Sequence, residues 1–517
     1  MAPISSLAVY GTLLLQSLVV ATPFPRYFQR NIITRRNLTT STVERELGPI
    51  LSTNTLIFGP ENPEFSDAAS RWDEFVRPDV EIVVEPAQES DIARIVKYCN
   101  ENSIEFLVKS QGHGFTTTLN VFKGLQISMT QLQGMEIAGD GQTALLQGGS
   151  WAGPTVQALW DKGYVTSTGS AQCVGLGGLT LGGGHGRLEG LYGLVADGVV
   201  HFNVVTADGS ELGVNATSHE DLFWAMRGAG HNFGIVTSSR VKIHPRPENT
   251  WHWHSYIWTG DKLETVFEEI NKLHRSVNGT APVLLGLESG LYTVDLNISK
   301  TEPVISWNFV YNGLAEEAEA ILEPFNAIEA VSENVTDIPY VEVPVVAGTA
   351  VGDPICNPGP NVVANALLLE YNVTTQRRLY DLFAQKLAQY PAMVSGSVLA
   401  HEGYGNKAVQ EVPSDSTAYP HRKQNFIVYL LASVPEGSGL LDATVEWAKE
   451  SFDIWVEGQG QGQTPKTYVN YAWGHPWETV KSMYGDEPWR LHRLDQLKAK
   501  YDPFNRFRFF NPIIAAK

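Results

Sequence analysis

Seven of the twelve residues from Gly175 to Gly186 (GLGGLTLGGGHG) are glycine, and three of the other five are leucine. A flexible linker would be rich in serine and poor in apolar side chains. This segment must instead be packed, with its backbone lying directly against a flat or polyanionic surface. Two further glycine-rich loops flank it: VKSQGHGF from Val108 to Phe115, and RGAGHNFGIV from Arg227 to Val236. Glycine lets backbone N–H groups come close to an anion. His113, between two glycines, has little neighbouring side chain to pack on, so it is either a surface residue in a tight turn or aimed at a ligand. Three such loops within about 125 residues favour one long phosphate-bearing cofactor over three separate turns. None is a strict G-x-G-x-x-G, which argues against a Rossmann dinucleotide site.

Charge narrows the partners. The chain carries 37 Lys+Arg against 56 Asp+Glu, a net charge of −19, so nucleic acid and anionic membrane surfaces are poor partners. Three cysteines (Cys99, Cys173, Cys356) exclude a disulfide-dense scaffold and a four-cysteine zinc site. There is no H-E-x-x-H, and His252-x-His254 on one strand face is set aside, so no metal is expected. Gly286 to Gly290 (GLESG) is not the G-x-S-x-G of a nucleophile elbow. Leu7 to Ala21 is apolar and uncharged and ends in the small-residue pattern Val19-x-Ala21. We read residues 1–21 as a signal peptide, the alternatives being a buried helix or a signal anchor. Asn37, Asn215, Asn278, Asn297, Asn334 and Asn372 open glycosylation sequons. Secretion, or retention in a secretory or vacuolar lumen, is the expected localisation.

Residues 22–45 lack apolar periodicity and read as a linker. Val80–Val84 reads as a strand, Ser90 as the cap of a helix through Cys99, and Phe106–Val108 as a second strand, together a β-α-β unit. Strands are expected over 142–148 and 199–206, and a helix over 155–162. From about residue 250 the texture changes. Strands over 251–258, 305–311, 366–372, 398–404 and 426–434 alternate with helices over 263–274, 314–325, 376–389 and 440–452. That pattern fits an antiparallel sheet covered by helices, hence an α+β fold class. GQGQGQ at 458–463 reads as a flexible crossing into an aromatic tail.

Taken together, VKSQGHG (108–114), GSAQCVGLGGLTLGGGHG (169–186), DLFWAMRGAGHNFGIVT (221–237), AYPHR (418–422), YVNY (468–471) and KYDPFNRF (500–507) resemble one family. The chain is similar to FAD-linked oxidoreductases of the vanillyl-alcohol oxidase/PCMH superfamily, in the fungal form of the berberine bridge enzyme-like group. The resemblance implies a two-domain PCMH-type fold. Residues 46–247 would form the FAD-binding domain, joined by the C-terminal segment 465–517. Residues 248–464 would form a substrate domain whose antiparallel sheet roofs the flavin. By the family's pattern, His113 is bonded covalently to the flavin 8α-methyl group. A second link in many members uses a Cys three residues before the Val of V-G-x-G-G. Here that Val is Val174 and the matching residue is Ala171, so a single covalent link is expected. Cys173 then reads as a small buried residue, with a shifted loop carrying it to the ring as the alternative.

The same resemblance assigns backbone contacts to the pyrophosphate from Ser110, Gln111, Gly112 and Gly114. It places Gly169, Ser170, Gly175, Gly178, Leu179 and Gly183 around the ribityl chain and diphosphate. Gly234, Ile235 and Val236 would lie against the adenine, and Asn470 at the pyrimidine edge. Val174 matches a position that tunes oxygen access. For the substrate proton, the candidates on central strands are Glu288, Asn308, Glu370, Tyr371, His401, Glu402 and Tyr404. Glu402, Tyr404 and Glu370 are the chosen catalytic residues, and Glu402 and Tyr404, two apart on a strand, would share a face. His421-Arg422 reads as a buried paired cluster, and Trp473, His475 and Trp477 as core packing rather than pocket wall. The function implied is an oxidase that moves a hydride from a small organic substrate, such as a secondary-metabolite intermediate, to FAD, with O2 reoxidising it to give H2O2. The alternatives are an oligosaccharide C1 oxidase, a redox-neutral isomerase or cyclase, and a secreted flavin-binding protein without turnover.

Overall fold

The computed structural model describes residues 38–246, 250–277, 279–299, 301–460 and 462–514. The expected signal peptide and the sequons at Asn37 and Asn278 lie outside those residues. The linker reading fails at its end. Thr40–Leu47 is a helix capped by Thr39, whose side chain accepts from the Thr42 amide, with Val43 and Leu47 buried. Alternation of two apolar residues four apart, overlooked among the polar ones, is enough to dock a short amphipathic turn.

Three sheets organise the chain. The first runs β1 (Leu56–Phe58), β2 (Asp79–Glu85), β4 (Lys123–Ser128), β3 (Phe106–Lys109), with β4 parallel to both β2 and β3. The second is antiparallel, in the order β5 (Met135–Ile137), β6 (Thr143–Gln147), β10 (Ile235–Lys242), β8 (Val199–Val205), β9 (Glu211–Asn215). A short ribbon pairs β7 (Tyr164–Val165) with β11 (His244–Pro245). The helix between β2 and β3 spans Glu89–Glu101 and starts after Gln88, not at Ser90. Asp91 explains the shift. Its carboxylate accepts the Gln88 amide and also hydrogen bonds from Ser52, Thr55 and Arg94, so the helix start is tied down upstream of Ser90.

The third sheet has seven antiparallel strands: β15 (Ser332–Ile338), β12 (Trp251–Thr259), β14 (Val304–Asn312), β13 (Leu285–Thr293), β17 (Val398–Gly403), β18 (Phe426–Ser433), β16 (Asn361–Leu368). Helices Leu263–Arg275, Ala315–Asn326, Val373–Gln389 and Leu441–Gly458 cover one face around Phe267, Tyr292, Trp307 and Trp447. The opposite face packs Leu287, Val310, Leu367 and Ile427 onto Leu188, Leu194, Tyr419 and Tyr468. Strand β13, given no span in the sequence reading although Glu288 was placed on a central strand, lies at the sheet's centre. Its glycines hid it: a Cβ on Gly290 would overlap the Trp307 ring, which fills that space instead. Strand β16 sits upstream of the expected 366–372, because Asn372 caps the next helix by accepting from the Thr375 amide. The C-terminal segment folds back onto the first sheet, where Arg506 and Arg508 reach the buried Glu105 at 3.0 and 2.7 Å. Among the described residues, no helix is long and apolar enough to cross a membrane.

Candidate functional site

Where the chain leaves β3 it bends at Gly112, whose φ of +76° disfavours any side chain. The loop is pinned by Ser110 Oγ, which donates to the Gly148 carbonyl (3.2 Å), and by Gln111 Nε2, which donates to that of Gly149 (2.9 Å). It packs against the second glycine loop so closely that a Cβ on Gly175 would sit 2.7 Å from Ser110 Oγ. These loops, together with residues 234–236 and the C-terminal segment, surround one large cavity. Ser110, Gln111, Gly112, His113, Gly114, Val174, Gly175, Gly178, Leu179, Gly234, Ile235, Val236 and Asn470 all line it. Gly169, Ser170 and Gly183 do not. Ser170 faces Tyr404, with the hydroxyls 3.4 Å apart, and Gly183 lies against the Tyr419 ring.

Two features make this cavity suited to a polyanion. The amides of Gln111, Gly112 and Gly114 donate to no acceptor among the described residues. Arg71 also lines the wall, and its hydrogen bonds go to the Ala69 and Ser70 carbonyls and the Gln126 amide oxygen, all neutral. Burial pushes its guanidinium down to about 10 and the neighbouring Lys109 ammonium down to about 8. An isolated arginine among ordinary residues gave the sequence reading nothing to find. A phosphate-bearing cofactor with a flat ring fits these donors, cations and glycine surfaces.

His113 stacks on Trp72 (centroids 4.9 Å apart, 20° between planes). Burial pushes its imidazole down to about 4, so it is neutral and keeps a free lone pair. Its Nε2 is 3.3 Å from Cys173 Sγ. Cys173 is disulfide-bonded to Cys356, 183 residues away, with Cα atoms 5.8 Å apart. It is therefore neither a simple packing residue nor a free thiol; only the tertiary fold brings those two loops together.

The roof sheet carries the second cluster. Glu402 and Tyr404 face the same side, and Tyr404 Oη donates to Glu402 Oε2 at 3.1 Å. Tyr471 Oη donates to Glu402 Oε1 at 3.4 Å, and Tyr471 itself lines the cavity. Burial raises the Glu402 carboxyl above its ordinary range, against the lowering pull of Tyr404, His185, Tyr471 and Tyr429. Burial also holds the phenols of Tyr404, Tyr429 and Tyr471 well above theirs, so they stay protonated donors. Arg187, buried nearby, donates to the Ser170 carbonyl (2.7 Å) and to Thr349 Oγ1 (3.0 Å). Asn308 lies on this face too, in the row Asn308–Ser289–Glu402 across β14, β13 and β17.

Other candidates are elsewhere. Glu370 is exposed beyond the end of β16, ion-paired with Arg275, and does not line the cavity; the misplaced strand put it on the wrong side. Glu288 accepts from Trp307 Nε1 (2.5 Å) on the helix-covered face. Tyr371 and His401 are packed on that face as well, and burial pushes His401 down to about 3. As expected, Arg422 is a buried pair with Asp197 (2.8 Å), and Trp473 is core, donating to Asp73 Oδ2 (2.9 Å). Tyr429 and Arg187 were missed, because nothing in a strand's apolar run or a glycine loop marks a residue that meets Glu402 only after folding.

Comparison with known proteins agrees with this geometry. Residues 80–215 match the FAD binding domain family, and residues 467–514 the family described as berberine and berberine like. The FAD-linked oxidoreductase iacH of Pestalotiopsis fici is 52% identical over 98% of both chains. FAD-linked oxidoreductase OXR2 of Pyricularia oryzae is 45% identical over 95% of both. In fold, the chain is similar to BBE-like 1 of Physcomitrella patens (TM-score 0.77, 19% identity, 92% of this chain and 99% of that one). It is also similar to the carbohydrate oxidase of Microdochium nivale (TM-score 0.74, 21% identity, 92% and 100%). With near-complete coverage at such identity, and a cavity built for a phosphate-bearing flat ring, the chain belongs to the FAD-linked oxidoreductases, an enzyme with the α+β fold of the berberine bridge enzyme-like group.

Proposed function

We propose that the protein is an oxidase of small organic substrates with a single covalent FAD on His113. One observation carries the reading: a neutral imidazole between two glycines, in the wall of a cavity where the amides of Gln111, Gly112 and Gly114 have no acceptor among the described residues. Bound FAD supplies a hydride acceptor that O2 restores, with release of H2O2. The protein's own part is to hold and to accept. The loop amides and Arg71 would hold the pyrophosphate, and Asn470, which donates to the Leu179 carbonyl at 3.0 Å, would meet the ring edge. Glu402, which does not itself line the cavity, takes the substrate proton through the Tyr471 phenol, whose own proton passes to the carboxylate as the C–H bond breaks. Its raised affinity for protons suits a base that must take one from the substrate. Tyr471 stands between Glu402 and the cavity and orients the substrate by its phenol. The engaged Cys173 supports one covalent link rather than two. A secondary-metabolite intermediate is the substrate class we favour.

Passage through the secretory pathway accompanies this reading. Asn297, Asn334 and Asn372 are exposed, while Asn215 is partly buried and donates to His201 Nδ1 at 3.0 Å, so the first three are the glycan sites to expect. A disulfide suits that oxidising route. The test is acid precipitation followed by proteolysis. Flavin should stay on the peptide containing His113, and His113→Ala should release it all. Free flavin from the wild-type protein would overturn the proposal.

A further inference from the structure

The alternating histidines of β12 do not stand alone. His252 and His254 are both buried on the helix-covered face, at 2% and 4% exposure. From helix Ala315–Asn326, Glu319 places one oxygen, Oε1, 2.8 Å from His252 Nε2 and 2.8 Å from His254 Nδ1. The edge strand β15 sets Asp337 directly opposite His252, with Asp337 Oδ1 2.7 Å from His252 Nδ1. Asn326 Nδ2 donates to the other Glu319 oxygen at 2.8 Å and so fixes the carboxylate.

If every contact were N–H···O, His252 would donate from both nitrogens and be a buried imidazolium, and His254 would spend its Nδ1 proton on the same Glu319 oxygen. His254 Nε2 meanwhile has no hydrogen-bond partner among the described residues, and the Glu333 carboxylate lies 3.8 Å away. Tyr256 Oη is 3.1 Å from His254 Nδ1 but is already committed to Asn326 Oδ1 at 2.5 Å. A cation resolves the arrangement. Asp337 accepts a hydrogen bond from the Nδ1–H of His252 and fixes its tautomer, leaving the Nε2 lone pair facing His254 Nδ1 and Glu319 Oε1. A carboxylate behind a ligating imidazole is the usual support of such a ligand. All three donor atoms lie within 4.8 Å of one another.

We propose that His252 Nε2, His254 Nδ1 and Glu319 Oε1 hold one divalent transition ion of the zinc class, with water completing the shell. Two imidazoles and a carboxylate suit that class, and not calcium or magnesium, which prefer all-oxygen shells. Glu319 and Asp337 are 33% and 48% exposed, which leaves a route from solvent. None of these residues lines the cavity of the catalytic site, so the ion clamps the Ala315–Asn326 helix across β12 and the sheet edge. The proposal is independent of the flavin reading.

The test is calorimetric titration of the EDTA-stripped, full-length holoenzyme with ZnCl2, alongside thermal unfolding. One equivalent should bind and the unfolding temperature should rise with zinc. Glu319→Gln, which keeps the shape and removes the charge, should abolish stoichiometric binding. Asp337→Asn, which spares all three ligands, should weaken it by about 10–100-fold and guards against a variant that fails to fold. Flavin absorbance should be the same in all of them. No binding by the wild type, or binding unchanged by both substitutions, would overturn the site and leave a proton-bridged cluster.

Discussion

The Cys173–Cys356 bridge ties the second glycine loop to the segment entering β16, so its removal should be felt in stability before it is felt in chemistry. The closed loop spans 183 residues, and chain-entropy arithmetic for that length gives about 5 kcal/mol. Measured bridges more often return about 2–4 kcal/mol, because the unfolded chain retains structure, so we expect a loss in that range for the double variant Cys173→Ser/Cys356→Ser. Two assays read it. Thiol titration of denatured, unreduced protein should find only Cys99, the one free cysteine. Urea unfolding followed by tryptophan fluorescence should give the same lowered midpoint for the reduced wild type and the double variant. Three reactive thiols, or a midpoint unmoved by reduction, would refute the bridge and with it one support for an oxidising compartment. The single variant Cys356→Ser is informative too, since it leaves a thiol 3.3 Å from His113 Nε2. Flavin peptides from it should still carry the link at His113 alone.

Three other outcomes follow from buried groups. Glu402→Gln should lower turnover by about 10²–10⁴-fold with flavin content unchanged, and the wild-type rate should climb with pH through a value above the ordinary carboxylate range; full turnover in the variant would remove Glu402 as the base. Burial lifts the Glu478 carboxyl to about 7. A carboxyl that holds its proton more tightly when folded contributes stability below the ordinary carboxylate range and loses it as pH rises toward about 7, so Glu478→Gln should gain on the wild type in urea midpoints between about pH 5 and about pH 8. A difference constant with pH would refute that sign. Asp197→Asn leaves the Arg422 guanidinium buried without its bidentate partner (2.8 and 3.0 Å), which should cost about 3–5 kcal/mol in equilibrium unfolding. A loss under about 1 kcal/mol would mean that Arg422 finds another acceptor.

Much of this molecule is readable along the chain because its signals are local. Glycine runs report where backbone must pack closely, beside a cavity at Gly175 and against other parts of the chain at Gly183 and Gly186, since a Cβ would not fit there. Alternation over 251–258 reports a strand, since side chains on a pleat point alternately to two faces, and the apolar run over 426–434 reports one covered on both faces. What stayed hidden depends on partners distant in sequence. Strand β13 is concealed by glycines whose space is filled by tryptophans from other strands, Gly290 by Trp307 of β14 and Gly286 by Trp251 of β12. Glu402 was readable as a strand residue, but its tyrosine surroundings assemble from β17, β18 and the C-terminal segment. Glu370 and Glu402 read alike as acidic strand residues, yet one meets water and Arg275 and the other meets three phenols. Sequence sets what each residue can do locally. Burial, charge compensation and the pairing of Cys173 with Cys356 belong to the tertiary structure, because each is a property of groups separated by tens to hundreds of residues and brought within a few ångströms only when the chain closes on itself.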